Sequence, residues 1–417
     1  AEILKGYKAL RMEGPNASAT ITGGSLEGSN AALDMSKGAQ VTEISGGTFY
    51  GVIDAVHLSD TGTKIAKISG GKFYQTEPAQ ALHGHAVFVQ NGAQIGEISG
   101  GYFEATDDCA MVIIRGGWVE TISGGEFYAK RLGDYATRNA TIWVEGEDNY
   151  GQSGPTGIGT ISGGHFYGTN FGILLIKRNA EARVNLVSGG LFEGVVAFQV
   201  DIGGVVDEFT GGQMLGSQGM LNNGRVGKIG GNAVFSGSSS YGIYNYNQGW
   251  LGEITGDAMI TGLTYGIACS GKIDLISGGT MIGGSRAISC DGMNPGRIGT
   301  ISNGVFWGKR GVAIGLAYEV ILEPGLSVDP GYGRYWGGNG QVFNDDSLVV
   351  FPINVARDVT YFMSDTTKPV GGISEVEFRY LTLPKAPDRE DPEEEEDPEV
   401  PVTPPPGPII KTGGHAI

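Results

Sequence analysis

Apolar and polar residues alternate in short runs along most of the chain, and no helical period of 3.6 residues is visible. An aliphatic residue or Phe recurs ahead of Ser-Gly-Gly, or a variant of it, every 20 to 39 residues. These anchor residues are Ile21, Ile44, Ile68, Ile98, Ile122, Ile161, Val187, Phe209, Ile229, Ile254, Ile276 and Ile301. Helical repeats need about 33 residues and an amphipathic pattern. The repeat therefore predicts an all-β fold, a right-handed parallel β-helix solenoid of about 12 turns.

A second apolar position follows each anchor by five residues and is expected to point into the coil. It holds Leu26, Phe49, Phe73, Phe103, Phe127, Phe166, Phe192, Met214, Val234, Met259, Met281 and Phe306. Like residues stacked about 4.8 Å apart fill the interior of a solenoid. In the bends, Asn232, Asp257 and Asn303 stand where most turns have Gly. Because Asn and Asp tolerate positive φ best among non-Gly residues, we expect them to be left-handed.

The sixth position after each anchor should point outward, since successive side chains of a strand alternate between its two faces. In the first half it carries Tyr50, Tyr74, Tyr128 and Tyr167. Exposed Tyr rings suit stacking on sugars, although Tyr also simply favours strands. Toward the C-terminus the position holds Leu215, Phe235, Ile260, Ile282 and Trp307. Such an apolar strip predicts a homo-oligomer interface, or a surface covered by residues 351–383.

Two turns are longer than the others, and they are the best places for a binding or catalytic site. One inserts Gln75–His85 and the other roughly Lys130–Pro155, two turns and about 10 Å apart along the axis. The predicted pocket between them contains His83, His85, Asp107, Asp108, Lys130, Arg131, Asp134, Tyr135, Trp143, Glu145, Glu147 and Asp148. Long loops on a rigid scaffold carry function; the alternative is that these polar residues only face water.

Within that pocket the candidate catalytic residues are Asp107, Asp108, His83, His85 and Glu145, and Trp143 is a candidate ligand contact. Glu145, Glu147 and Asp148 are candidate ligands for Ca²⁺, because carboxylates and carbonyls suit that ion. Their spacing matches no defined calcium loop. No other cofactor is expected.

The composition outside the repeat indicates further regions of the chain. Residues 1–350 are predicted to form the β-helix with its caps, residues 351–383 a small β unit packed on it, and residues 384–417 an acidic Pro-rich linker or tail. The net charge of −17 argues against a nucleic-acid partner, and no apolar run is long enough to cross a membrane. Cys269 and Cys290 occupy equivalent positions in successive turns, where they either pack as thiols or close a disulfide.

In architecture the repeat resembles the pectate-lyase-like β-helix superfamily over roughly residues 18–320. The Ile-Ser-Gly-Gly-x-Phe signature itself is similar to repeats in large secreted or cell-surface proteins of Gram-positive bacteria. Polygalacturonase-like members of the superfamily carry Asn-Thr-Asp, Asp-Asp, Gly-His-Gly and Arg-Ile-Lys on successive turns. Here Asp107-Asp108 and His83-Gly84-His85 occur in the opposite order, and the other two patterns are missing.

These observations favour a secreted or cell-surface β-helical adhesin, a glycan-binding module on a rigid rod whose partner is a polysaccharide or a surface glycan. One alternative is a polysaccharide lyase or glycoside hydrolase with a cleft near Asp107 and Glu145. Another is a virion or filament subunit that associates through the C-terminal apolar strip.

Overall fold

A computed structural model describes residues 3–76, 84–106, 108–130, 140–147, 155–290 and 296–308, and short strands beyond them. Contacts divide the chain into two compact units, Ala1–Lys385 and Ala386–Ile417. The described part of the first unit is an all-β parallel solenoid of about 11 turns, which confirms the predicted fold class. Nearly all of residues 351–383, and the whole of 384–417, lie outside the described residues.

Each turn contributes strands to three faces, and every strand pairs in parallel with the equivalent strand of the next turn. The first face, which carries the anchors, contains Ser18–Ile21, Gln40–Ile44, Lys64–Ile68, Gln94–Ile98, Trp118–Ile122, Thr156–Ile161, Ala182–Val187, Gly204–Phe209, Arg225–Ile229, Trp250–Ile254 and Ile321–Leu322. The second face contains Thr48–Gly51, Lys72–Gln75, Tyr102–Ala105, Glu126–Ala129, His165–Gly168, Val234–Gly237 and Met259–Gly262.

The third face contains Asp54–Leu58, His85–Val89, Met111–Ile114, Ala140–Gly146, Phe171–Lys177, Tyr241–Asn245, Tyr265–Cys269, Arg286–Cys290 and Ile314–Leu316. Longer strands bend from the second face into the third: Ile3–Glu13, Ser25–Ser36, Leu191–Val200 and Gln213–Asn222. Lys272–Gly283 and Arg297–Gly308 bend from the first face into the second. Beyond the coil, Ser327–Val328 pairs with Leu381–Thr382 and Val349–Val350 with Thr360–Tyr361, both antiparallel.

One continuous apolar core runs through the coil from Met12 to Ile314. On the second face, Phe49, Phe73, Phe103, Phe127, Phe166 and Phe192 stack with ring centroids 4.5 to 5.0 Å apart. Burying one such ring contributes about 1.5–3 kcal/mol. The stacking of aromatic pairs adds roughly 0.5–1.5 kcal/mol beyond that burial. The predicted inward ladder is therefore confirmed in these turns.

The two glycines of the bend are required for different reasons, as Gly124 and Gly125 show. A Cβ on Gly124 would lie 2.4 Å from the backbone oxygen of Ser99 in the preceding turn, so only Gly allows the turns to stack. Gly125 has a φ of 97°, a region that L-residues rarely adopt.

The bends after Ile229 and Ile254 depart from this rule, and they overturn part of the predicted ladder. Here Gly231 and Gly256 take the positive φ, at 56° and 62°, one position earlier than in the regular bend. Each of these bends contains one residue more before the strand resumes. Pairing therefore aligns Phe235 and Ile260 between Met214 and Met281, and both side chains are buried. The inward residues are Phe235 and Ile260, not Val234 and Met259 as predicted.

The left-handed conformation predicted for Asn232, Asp257 and Asn303 is wrong as well. Among the described residues, the non-Gly residues with positive φ are Lys37, Asp60, Asn91 and Arg115, all at other bends. A glycine beside each of the three takes the positive φ instead: Gly231, Gly256 and Gly304.

All three cysteines are buried as free thiols, so Cys269 and Cys290 pack without a disulfide. Asn245 lies below Cys269 on the same ladder and donates to its Sγ at 3.6 Å. A hydrogen bond with Cys290 lowers the pKa of the Cys269 thiol.

Candidate functional site

On the third face, the outward row of side chains is chemically unusual over six successive turns, of which the first contains the strand Ser25–Ser36. Val56, Val87 and Met111 point into the core, and the residue that follows each of them in its strand points away from the core. From turn to turn these outward positions carry Asp34, His57, Phe88, Val112, Trp143 and Leu174. Asp34, Val112, Trp143 and Leu174 are nevertheless buried.

A cavity of about 400 Å³ lies along this row. Its charged and aromatic lining residues are Lys8, Asp54, His57, His85, Phe88, Asp108, Arg115, Trp143, Glu145, Glu147 and Arg178. Together with Asn30 they come from seven successive turns, which stack about 4.8 Å apart. The cavity therefore follows the coil across several of its turns.

The centre of the cavity is a buried carboxylate shared by two histidines. Nδ1 of His85 lies 2.8 Å from one oxygen of Asp54, and Nδ1 of His57 lies 3.2 Å from the other. Burial alone would raise the pKa of Asp54. The hydrogen bonds from His57 and His85 outweigh burial and hold the pKa of Asp54 below its ordinary value. Asp54 is thus a carboxylate that orients two imidazoles.

A second buried acid lies on the far side of His85. Oδ2 of Asp108 is 4.0 Å from Nε2 of His85, and Asp108 is 1% exposed. The ring of Phe88 stacks on that of His85 at 4.9 Å and meets His57 edge-on at 5.2 Å. Acids, an oriented imidazole and aromatic walls in one cavity are the groups that general acid–base chemistry uses.

At one end of the cavity, two glutamates are paired with two arginines. Nε of Arg115 lies 2.9 Å from Glu147, and Arg178 lies 2.8 Å from Glu145 and 3.1 Å from Glu147. The buried carboxylate of Glu147 is therefore paired with both guanidinium groups. At the other end Lys8 donates to Asp34 at 2.8 Å.

These contacts bear on the predicted calcium site. The carboxylates of Glu145 and Glu147 are neutralised by arginine, and Asp148 lies outside the described residues. Across the part of the chain that the structure describes, no group of three or more His, Cys, Asp or Glu side chains is arranged to hold a metal ion.

The structure brings five of the predicted pocket residues to this one cavity: His85, Asp108, Trp143, Glu145 and Glu147. His83, Asp107, Arg131, Asp134, Tyr135 and Asp148 lie outside the described residues. Lys130 is elsewhere, on the second face, where it pairs with Glu104 at 2.6 Å. His85 itself begins a strand and does not belong to a loop.

Sequence reasoning missed Asp54, His57, Arg115 and Arg178. A signal was present, because Asp54-Ala-Val-His57-Leu and His85-Ala-Val-Phe88-Val have the same alternation and pair in register. Aligning the third strand of each turn, as well as the anchors, would have placed Asp54 directly beneath His85.

The tyrosines predicted to point outward on the second face form a ladder, and Tyr102 completes it. Tyr50 stacks on Tyr74 at 5.2 Å, and Tyr102 lies 5.7 Å from Tyr74 and 5.2 Å from Tyr128, which is 6.2 Å from Tyr167. Only Tyr50 and Tyr74 are stacked, with planes 13° apart; the other three pairs are tilted by 33° to 49°. Tyr50 and Tyr167, at the two ends, are the most exposed at 37% and 42%. Burial and a hydrogen bond to Glu104 raise the pKa of Tyr102 to about 12.

The predicted C-terminal apolar strip is not continuous. Phe235 and Ile260 point into the core because of the longer bends, and Leu215 and Ile282 are half-buried. The side chain of Trp307 lies outside the described residues. Exposed apolar residues of this region are instead Met259, at 44%, Leu263, at 55%, and Val305, at 54%.

No protein-family model matches the chain, and no curated protein and no solved structure matches it. Over the described residues, no helix has the length and apolar character required to cross a membrane. The parallel β-helix is thus established by the structure alone, and a β-helix can carry unrelated functions.

Proposed function

We propose that the cavity on the third face binds a segment of polysaccharide and cleaves a glycosidic bond by acid–base catalysis, in a secreted or cell-surface protein. The observation that carries the proposal is the buried Asp54 carboxylate shared by His57 and His85. A solenoid gains no packing from an outward, buried cluster of charges, and removing charges from water costs several kcal/mol per ion. Clusters of this kind concentrate at functional sites.

The shape of the cavity supports a linear ligand. Its lining comes from seven successive turns, which stack about 4.8 Å apart along the axis. Phe88 supplies apolar surface on which a sugar ring can pack, and Lys8, Arg115 and Arg178 line the same cavity with N–H groups. An extended chain of several sugars fits such a site better than a compact metabolite.

In this proposal His85 is the acid–base residue, because Asp54 orients its ring and Asp108 lies close to its other nitrogen. Asp108 and Glu145 are further carboxylates in the lining of the same cavity. Hydrolysis and elimination both use such groups, and the product distinguishes them.

The test is incubation of the purified chain with a panel of neutral and acidic polysaccharides. New reducing ends report either reaction, and ultraviolet absorbance of an unsaturated sugar reports elimination alone. We expect cleavage of at least one polymer, and its loss in His85→Gln. The control is His165→Gln, since His165 lies on the second face beside Glu193 at 2.5 Å. No cleavage across the panel, or equal cleavage by His85→Gln, would overturn the proposal.

A second candidate is glycan binding without cleavage, as in an adhesin, and the tyrosine ladder favours it. Five Tyr side chains in contiguous turns present a row of hydroxyls and ring edges, with exposed rings at both ends. A glycan array compared between the unsubstituted chain and a variant with Tyr50, Tyr74, Tyr128 and Tyr167 all changed to Ser tests this. Binding that survives all four changes excludes these four tyrosines as the binding surface.

A further inference from the structure

Gln90 follows the strand His85–Val89 and connects Arg115 to the histidine pair of the cavity through hydrogen bonds of its side-chain amide. Its amide lies between Arg115 and His57. An amide presents a donor at one end and an acceptor at the other, so its orientation decides which atoms of its neighbours carry hydrogen.

Arg115 fixes that orientation. Nη1 of Arg115 lies 3.2 Å from Oε1 of Gln90, and a guanidinium group can only donate. The opposite orientation would set the amide NH₂ against guanidinium N–H groups, donor against donor. Arg115 is itself held on its other side, where Nε donates to Glu147 at 2.9 Å. The oxygen of Gln90 therefore faces Arg115, and its nitrogen faces away.

The consequence reaches His57 next. Nε2 of Gln90 lies 2.9 Å from Nε2 of His57. Because the amide nitrogen donates, the ring nitrogen must accept, and it carries no hydrogen. The hydrogen of His57 is then on Nδ1, which donates to Oδ2 of Asp54 at 3.2 Å. His57 is therefore a neutral imidazole, and both of its nitrogens are hydrogen bonded, Nδ1 to Asp54 and Nε2 to Gln90.

His85 occupies the other side of the carboxylate. Its Nδ1 donates to Oδ1 of Asp54 at 2.8 Å, so both oxygens of Asp54 are used by the histidines. Nε2 of His85 points instead toward Asp108, 4.0 Å away, in the wall of the cavity. Of the two histidines, His85 keeps a ring nitrogen that can exchange a proton with a ligand.

We propose that Gln90, oriented by Arg115, holds His57 as the neutral Nδ1–H tautomer and so assigns proton transfer in this cavity to Nε2 of His85. Gln90 and His57 are positioning residues, and the second half of the proposal rests on the proposed function. When a glycosidic bond is cleaved, Nε2 of His85 takes a proton from the sugar carbon or from an attacking water. The glycosidic C–O bond breaks as a C=C bond forms in elimination, or as the water oxygen bonds to the anomeric carbon in hydrolysis. The departing glycosidic oxygen takes the electron pair of that bond and a proton from Nε2 of the His85 imidazolium, which restores the neutral imidazole.

The test is a two-bond ¹H–¹⁵N spectrum of the histidine rings in the full ¹⁵N-labelled chain at neutral pH. His57 is assigned by its loss in His57→Gln. For the unsubstituted chain we expect one tautomer of His57, with hydrogen on Nδ1 and an unprotonated Nε2. A hydrogen on Nε2 of His57, or an even mixture of tautomers, overturns the proposal. The tautomer itself is measured in the unsubstituted chain.

Two Gln→Glu variants, each of which adds one negative charge, test the contact between Gln90 and His57. In Gln90→Glu the donor becomes an acceptor, so Nε2 of His57 must gain a hydrogen and the ring becomes an imidazolium. Gln94→Glu is the matched control, because Gln94 is exposed on the first face, and it should leave the spectrum of His57 unchanged. An unaltered His57 in folded Gln90→Glu contradicts the inferred contact.

The spectrum does not depend on turnover, so the proton assignment and the proposed activity can fail separately. If the chain cleaves a polysaccharide, Gln90→Leu should lower kcat about 10- to 100-fold through misplacement of the imidazoles, with KM nearly unchanged. Full kcat in Gln90→Leu overturns the positioning role even where the tautomer is as expected.

Discussion

Nδ1 of His85 lies 2.8 Å from Oδ1 of Asp54, although 31 residues separate the two along the chain. The two residues are brought together because each begins the third-face strand of its turn, and the strands pair in register. Nothing local to either residue predicts the contact. It depends on the stacking of the whole coil, so disturbing the chemistry should not disturb the fold.

Asp54→Asn should abolish most of the proposed activity while leaving the β-sheet content unchanged. The amide offers one acceptor to two N–H donors, so one imidazole loses its orientation. We expect turnover to fall by about 10²–10⁴-fold, the usual contribution of acid–base catalysis. Asp207→Asn is the control, since Asp207 pairs with Arg183 at 2.7 Å on the first face. Equal turnover in the two variants contradicts a catalytic role for the pair.

The same residue makes stability depend on pH. The folded-state pKa of Asp54 lies below its ordinary value of 3.8, because hydrogen bonds from the two histidines outweigh burial. Its stabilisation is therefore complete above pH 3.8 and is lost as pH falls through the lower folded value. We expect the free energy of unfolding of the unsubstituted chain, minus that of Asp54→Asn, to decrease below pH 3.8. Urea denaturation between pH 6 and 2 measures it; a difference that grows with acidity would contradict the assignment.

Phe103→Ala should destabilise the coil by about 3–5 kcal/mol, the usual cost of removing a buried aromatic ring. Phe103 is fully buried and stacks between Phe73 at 4.7 Å and Phe127 at 4.5 Å. Urea denaturation followed by circular dichroism measures the change. Tyr167→Ala, at an exposed rung of the same face, should shift stability by less than about 0.5 kcal/mol. Similar losses for both would show that the stacked rings are not the main source of stability.

Gly124→Ala and Gly23→Ala change equivalent glycines with opposite expected results. The new Cβ of Gly124→Ala would lie 2.4 Å from the backbone oxygen of Ser99, whereas that of Gly23→Ala meets no atom within 4 Å. We expect Gly124→Ala to lower the melting temperature and to cost more than about 1 kcal/mol. Gly23→Ala should be neutral or slightly stabilising, because it restricts the unfolded chain. A neutral Gly124→Ala would mean that the turns can separate locally at little cost.

Much of the fold could be predicted from the sequence, because Ile44, Phe49 and their equivalents recur at the spacing of one turn. The position of Phe235 could not, since Gly230-Gly231-Asn232 resembles a regular bend. Only the φ of Gly231 reveals the additional residue. In the site, the long turns indicated His85 and Trp143. Asp54 begins one third-face strand and Gln90 follows the next. The role of Gln90 could not be predicted, because it depends on side-chain contacts with Arg115 and His57 that no motif indicates.

The longer bends after Ile229 and Ile254 show where the coil accepts a change in length. Both bends add a residue at the corner, and the strands on either side keep their partners. Because Ile229 and Ile254 occupy the same position in adjacent turns, excising residues 230–254 would rejoin two equivalent corners. The cavity draws its lining from the turns between Lys8 and Arg178, so such a splice leaves it whole. The coil can thus be shortened in steps of one turn, about 4.8 Å each, without changing the cavity near its other end.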